Sequence, residues 1–185
     1  MQLEIALREG PVALRPLKAE DASLLLRWLT DPAVLEWYEG RDRPFTPQMV
    51  QEHFYKEDGL SRCIILYEGS PAGYVQVYPL DEEEKQEYGC PEAPSPAFAM
   101  DQFLGETACW GKRIGRAFIS LLLKHLAAAE NAQAVYVDPH TDNKRAIRCY
   151  EACGFRQVKL LPKHELHEGS MRDCWLMEYR PQETE

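Results

Sequence analysis

The sequence predicts an α/β (α+β) fold: a mixed, mostly antiparallel central sheet flanked by helices. Three observations lead there. Apolar runs with strand and helix periods follow the order ββααββ, then β, α, β, α, β, β. The second half holds two strand–helix–strand passages. Turns at Gly10-Pro11 and near Gly69-Ser70-Pro71 sit between neighbouring strand patterns. At 185 residues the chain is long enough to bury a real core, so a single domain is expected over 1–185.

Each element has its own signal. "EIALREGPVALRPL" reads as two short strands around the Gly10 turn. "EDASLLLRWLTD" sets Leu24, Leu25, Trp28 and Leu29 on one helix face, and Pro32 is expected to end that helix. Thr46 and Pro47 form a cap and first position for the next helix. "SRCIILYEGSPAGYVQVYPL" reads as a hairpin, and "DEEEKQEYGCPEAPSP" as an exposed acidic loop. "AFAMDQFL" reads as a buried strand. "WGKRIGRAFISLLLKHLAAAE" reads as a long helix with Ile114, Phe118, Leu121, Leu122 and Leu126 facing inward. "AVYVDP" is a further buried strand. The helix "DNKRAIRCYEACGF" follows, with Gly154 placed for a left-handed cap. "FRQVKLL" and "DCWLMEYR" close the sheet. The "HELHE" between them lacks the spacing of a zinc HExxH motif and reads as hairpin or loop.

Charge narrows the function. Thirty acidic against 21 basic residues give a net charge of -9. Nucleic acid and anionic membrane surfaces are repelled by that balance, whereas a cationic ligand is attracted. The sequence contains no run long enough to span a bilayer and no leader pattern at its start, so a cytoplasmic protein is expected. Cys63, Cys90, Cys109, Cys149, Cys153 and Cys174 have no zinc spacing and read as free thiols. No metal is expected.

Two stretches carry chemistry. In "WGKRIG" a helix begins after a strand, and a helix start offers unpaired N–H groups and a positive dipole end to a phosphate. Gly111 and Gly115 permit close approach, and Lys112 and Arg113 add charge. A tight turn with helix packing explains the same residues. In the later helix, Asn143, Ala146, Ile147 and Tyr150 share one face. Asn offers hydrogen bonds to an amide-bearing ligand, Ala leaves room, and Tyr offers a proton. The alternative is a packed tyrosine whose hydroxyl meets a carbonyl. Asp101, between apolar "AFAM" and "FLG", is costly to bury without purpose. Trp37 and Tyr38 read equally as core or as site.

These stretches, in this order, resemble the GCN5-related N-acetyltransferase (GNAT) superfamily, and imply its fold. That family holds acetyl-CoA pyrophosphate on a Q/R-x-x-G-x-G/A loop, matched here by Trp110-Gly111-Lys112-Arg113-Ile114-Gly115. Trp110 replaces the usual Arg or Gln, and Arg113 replaces the first Gly. The second signature, N-x-x-A-x-x-x-Y-x-x-x-G-F, is intact as Asn143, Ala146, Tyr150, Gly154 and Phe155. "EWYEGRDRPF", "MDQFLGE", "DPHTDNKRAIRCYEACGF" and "LPKHELHEGSMRDCWLMEYR" further resemble the aminoglycoside 6'-N-acetyltransferases, most of all the acetyltransferase half of a bifunctional acetyltransferase/phosphotransferase.

The resemblance implies the roles. Asp101 and Tyr150 are the expected catalytic pair, as base and acid. Acetyl-CoA is the expected co-substrate, held by Gln102, Phe103, Leu104, Trp110, Gly111, Lys112, Arg113, Ile114, Gly115, Arg116, Asn143, Ala146 and Tyr150. Trp37, Tyr38, Asp101 and Asp138 are expected on the aminoglycoside. Phe98 stands where the bifunctional enzyme carries a tyrosine, so a hydroxyl role there is lost. Other acceptors stay open: a polyamine, a siderophore precursor or a protein N-terminus. A non-catalytic acyl-CoA-binding module is the remaining alternative, and the chain is expected to be a monomer or a dimer.

Overall fold

The strands read from the sequence form one sheet among the described residues. The strands are β1 (Leu7–Glu9), β2 (Val12–Pro16), β3 (Ser61–Tyr67), β4 (Ser70–Pro79), β5 (Ala97–Leu104), β6 (Ala134–Val137), β7 (Arg156–His167) and β8 (Ser170–Tyr179). Their order is β1-β2-β3-β4-β5-β6-β8-β7. β1 with β2, β2 with β3, and β6 with β8 pair antiparallel, while β5 and β6 run parallel. The computed structural model describes residues 2–182; residues 1 and 183–185, the outer ends of the expected domain, lie outside the described residues.

Helices are α1 (Ala22–Trp28), α2 (Pro32–Leu35), α3 (Pro47–Phe54), α4 (Glu82–Glu87), α5 (Ile114–Ala129) and α6 (Lys144–Ala152). Thr46 caps α3 by accepting from the Met49 N–H, as its sequence predicts. Gly154, with φ +97°, ends α6 in the left-handed region.

Three expectations need correction. Pro32 does not merely end α1. It opens α2, because Asp31 accepts from the Ala33 N–H and a proline suits the first helical position. The acidic stretch after β4 is not simply a loop. Asp81 and Glu84 form a reciprocal capping box, and Glu82, Glu83 and Glu84 lie at the positive end of α4. Lys85 of that helix is buried, its ammonium donating to Glu82 (2.7 Å) and Ser95 (2.5 Å). Finally, α5 starts at Ile114, after a turn over 110–113.

The chain forms two compact units. One comprises the residues up to Gln76 with Gln102–Ile114 and His167–Ser170, and the other comprises Val77–Asp101, Gly115–Leu166 and the residues from Met171 on. The first packs Leu25, Trp28, Leu29, Val50, Phe54, Ile64, Tyr74 and Phe103 into one core. Phe103 meets Trp28 edge-on and lies tilted against Tyr38 and Tyr74. The second unit packs Leu80, Ala97, Ala99, Ala134, Tyr136, Cys174 and Leu176. Tyr136 donates to Glu178 at 2.5 Å, which satisfies a buried hydroxyl.

Gly105, directly after β5, lies against the Trp28 indole so closely that a Cβ would overlap the ring. The same indole donates to Glu106 at 2.9 Å, so it has little freedom to retreat. Gly105→Ala is therefore expected to cost about 1–3 kcal/mol, the scale of overpacking, measured by urea unfolding. An unchanged midpoint would show that Trp28 can shift.

Candidate active site

The parallel pair creates the site. β5 and β6 pair through Ala97–Ala134, Phe98–Val135 and Ala99–Tyr136. Their last paired residues are Ala99 and Tyr136. Two positions further on come Asp101 in β5 and Asp138, the residue that follows β6. Alternation puts Asp101 on the face of Ala97 and Ala99, which belong to the core of this unit. Asp101 thus lies within β5, past its last residue paired with β6, and Asp138 directly follows β6.

Two tyrosines register that negative charge. The Tyr78 hydroxyl lies 3.3 Å from that of Tyr88. Burial drives the Tyr78 pKa up, and the Asp101 and Asp138 charges raise it further. Burial also holds Tyr88 well above its ordinary value, with Asp138 and Asp101 adding to it. Both hydroxyls therefore stay protonated and serve as donors. His164 completes the group: its Nε2 lies 2.9 Å from Asp138 Oδ2, and its ring meets Tyr88 edge-on at 6.3 Å. The Asp138 hydrogen bond raises the His164 pKa against the opposing effect of burial.

Sequence reasoning missed Tyr78, Tyr88 and His164. Tyr88 was hidden by reading its stretch as an exposed loop. His164 belongs to the long β7–β8 hairpin, in which the "HELHE" residues continue the strand to His167. A partner for Asp138 was the missing signal.

The other expected site residues fall as follows. Trp37 and Tyr38 belong to the first unit, and Asp101 and Asp138 to the second. Tyr38 stacks on Phe103 at 4.6 Å, so its ring serves the core. The Trp110 indole donates to the Leu104 carbonyl at 3.0 Å, which ties the turn over 110–113 to the end of β5. Gly111 has φ +75° and open space at its missing Cβ. Arg113, at the family's glycine position, takes φ +62°. Gly115 leads the first turn of α5 toward α6; a Cβ there would lie 3.2 Å from Cys149 Sγ. Lys112, Arg113 and Arg116 are exposed. Within the first unit, the open backbone at Gly111 beside the cations Lys112 and Arg113 is chemically suited to an anion.

On α6, Asn143 is the N-cap, its side-chain oxygen accepting from the Ala146 N–H at 3.2 Å. Ala146 is half-buried. Tyr150 is buried, with its ring 5.6 Å from Phe155. Gln102 and Leu104 are half-buried on β5.

The acetyltransferase (GNAT) domain profile matches residues 18–162. The chain belongs to the GNAT acetyltransferases. This GNAT protein is 28% identical over 150 residues to an aminoglycoside N(6')-acetyltransferase type 1 of Klebsiella pneumoniae, covering 79% of this chain and 74% of that one. It is 26% identical over 106 residues to a spermine/spermidine N(1)-acetyltransferase of Bacillus subtilis, 56% of this chain and 61% of that one. The crystal structure of aminoglycoside acetyltransferase AAC(6')-Ib with coenzyme A and kanamycin aligns with TM-score 0.74 at 25% identity, covering 91% of this chain and 94% of that one. The chain is an acetyl-CoA-dependent N-acetyltransferase of the GNAT type. Among the described residues no helix is long and apolar enough to cross a membrane.

Two outcomes follow from the geometry. A non-glycine residue in the left-handed region costs about 1 kcal/mol or more, partly offset by the unfolded-state freedom that glycine adds. Arg113→Gly is thus expected to leave stability unchanged or raise it by up to about 1 kcal/mol; a loss of that size would show that the arginine side chain outweighs the backbone cost. For His164 the folded pKa is raised, so its pairing with Asp138 adds stability below the unfolded value of ~6.5, and that stability is lost as pH rises through the folded value. The thermal stability gap between wild type and His164→Gln should therefore be wider at pH 5.5 than at pH 8.5, by about 0.5–1 kcal/mol for a half-exposed pair. A constant gap would show that the pair does not titrate.

Proposed function

We propose that the chain acetylates the 6'-amine of aminoglycoside antibiotics, thereby conferring resistance, and that it works as a single cytoplasmic acetyltransferase domain. The observation that carries this reading is that the Asp101 and Asp138 carboxylates both act on the buried Tyr78 and Tyr88 hydroxyls. A polyamine sugar is cationic at neutral pH, and two carboxylates beside donor tyrosines attract and orient its ammonium groups. The net charge of -9 acts in the same sense at longer range. Identity to an aminoglycoside N(6')-acetyltransferase over 79% of the chain supports the acceptor.

Acetyl-CoA supplies the acetyl group as an activated thioester. The start of α5, with Gly111, Lys112, Arg113, Ile114, Gly115 and Arg116, would hold its diphosphate, and Asn143, Ala146 and Tyr150 on α6 would line the arm. Gln102, Phe103 and Leu104 offer backbone groups along β5, and an N–H near Phe103 serves to polarise the acetyl carbonyl. Asp101 anchors the ammonium and takes its proton, directly or through water, freeing the nitrogen to attack. Tyr150 holds the proton that the departing sulfur needs. Trp37 and Tyr38 would border the acceptor, with Tyr38 also part of the core.

A second reading keeps the chemistry and changes the acceptor to a linear polyamine. The 26% identity to a spermine/spermidine N(1)-acetyltransferase favours it, and the charge suits both substrates. Thiol release from acetyl-CoA, compared with kanamycin and with spermine, separates the two. Higher kcat/KM for spermine would displace the aminoglycoside reading, and no release with either would displace both.

Asp101→Asn is expected to lower kcat/KM for kanamycin at least ~100-fold, while calorimetry finds acetyl-CoA affinity within a few-fold of wild type. Equal loss of both would make Asp101 structural. In the same assay Tyr150→Phe should lower kcat ~10–100-fold, because a thiolate leaves readily without full protonation. An unaltered kcat would remove the proton from Tyr150.

A further inference from the structure

We propose that His164 sets how strongly Asp138 holds a cationic acceptor: it fixes the carboxylate through one oxygen, and on taking up a further proton it cancels the carboxylate's charge. This deepens the reading of Asp138 as an acceptor-binding residue and rests on it.

The geometry is local to the second unit. His164 Nε2 lies 2.9 Å from Asp138 Oδ2. A carboxylate has no hydrogen to give, so Nε2 carries one, and the neutral ring keeps a lone pair on Nδ1. The bond engages Oδ2 and leaves the lone pairs of Oδ1 for an ammonium group. The side chains of His164 and Asp138 are 27% and 23% exposed, so the pair is open to water. The Tyr88 ring meets the imidazole edge-on, and the Tyr88 hydroxyl lies 3.3 Å from that of Tyr78.

Neighbouring groups do not take over either part. Tyr78 and Tyr88 stay protonated and so carry no negative charge. Glu165, beside His164 on β7, faces His140, whose Nε2 lies 2.9 Å from its Oε2. Cys174 on β8 is held neutral by burial, with Asp138 adding to the effect. Asp101 on β5 is the other carboxylate that the two tyrosines feel.

Two charge states follow. With His164 neutral, Asp138 keeps its full charge and a fixed orientation, and an acceptor ammonium gains the Coulomb attraction. With His164 an imidazolium, the pair is neutral overall, and the incoming ammonium meets a cation beside its anchor. The Asp138 hydrogen bond raises the His164 pKa above its ordinary value, against burial. Acceptor affinity is therefore weaker below the folded value and is recovered as pH rises through it. Asp101 keeps its part in proton removal, so KM moves more than kcat.

The test measures KM for kanamycin at pH 5.5 and pH 8.5 by thiol release from saturating acetyl-CoA, in wild type and in His164→Gln. Spermine takes the place of kanamycin if it is the amine that turns over. A glutamine amide donates to Asp138 as the Nε2–H does, and it cannot ionise. At pH 5.5 the KM of the variant should be about two- to five-fold lower than that of wild type, and the two should converge at pH 8.5. Comparing the proteins at each pH removes the titration of the acceptor's own amines. A gain of affinity at low pH is an outcome that a merely structural histidine does not give. Binding must also act back on the ring. In wild type with CoA bound, adding the acceptor should make His164 titrate at lower pH by proton NMR, a readout independent of how the variant folds. A KM ratio that stays constant between the two pH values, or a His164 titration that ignores the acceptor, would overturn the inference alone. No thiol release with kanamycin or with spermine would overturn the acetyl-transfer reading and the inference with it.

Discussion

The parallel pairing of β5 with β6 is the constraint on which the site depends. Antiparallel strands would send Asp101 and Asp138 to opposite ends of the sheet. Parallel strands let the segments that follow Ala99 and Tyr136, which hold Asp101 and Asp138, leave the paired region in the same direction. The crossover that makes the pair parallel contains α5, so one helical connection sets the direction of both strands.

Two like charges so placed need compensation. The chain supplies it with donors more than with cations: Tyr78 and Tyr88 stay protonated because the carboxylates and burial keep them so. His164 gives Asp138 a partner whose charge depends on pH.

Much of this was legible in the sequence. The apolar content of "AFAMDQFL" and the long apolar face from Ile114 to Leu126 marked β5 and α5 with small errors at the ends. The Thr46-Pro47 cap and the Gly154 stop are local chemistry and were readable as such. What escaped depended on distant contacts. Pro32 opens a helix because Asp31 precedes it, and α4 forms because Asp81 and Glu84 cap each other. Lys85 is buried through partners on both sides of it in the chain, Glu82 and Ser95. Tyr78 and Tyr88 gain meaning only once the Asp101 and Asp138 charges lie near them. The unusual Arg113 was visible as a departure from the family pattern, but its left-handed backbone is a fact of the folded turn.

The bond from the Trp110 indole to the Leu104 carbonyl has a thermodynamic consequence. It fastens the turn over 110–113 to the end of β5 when the chain folds, before any ligand arrives. Conformational entropy surrendered at that earlier stage is not subtracted again from association, so substituting a glycine-rich motif's flexible arginine or glutamine with an anchored indole trades a side-chain contact for preorganisation.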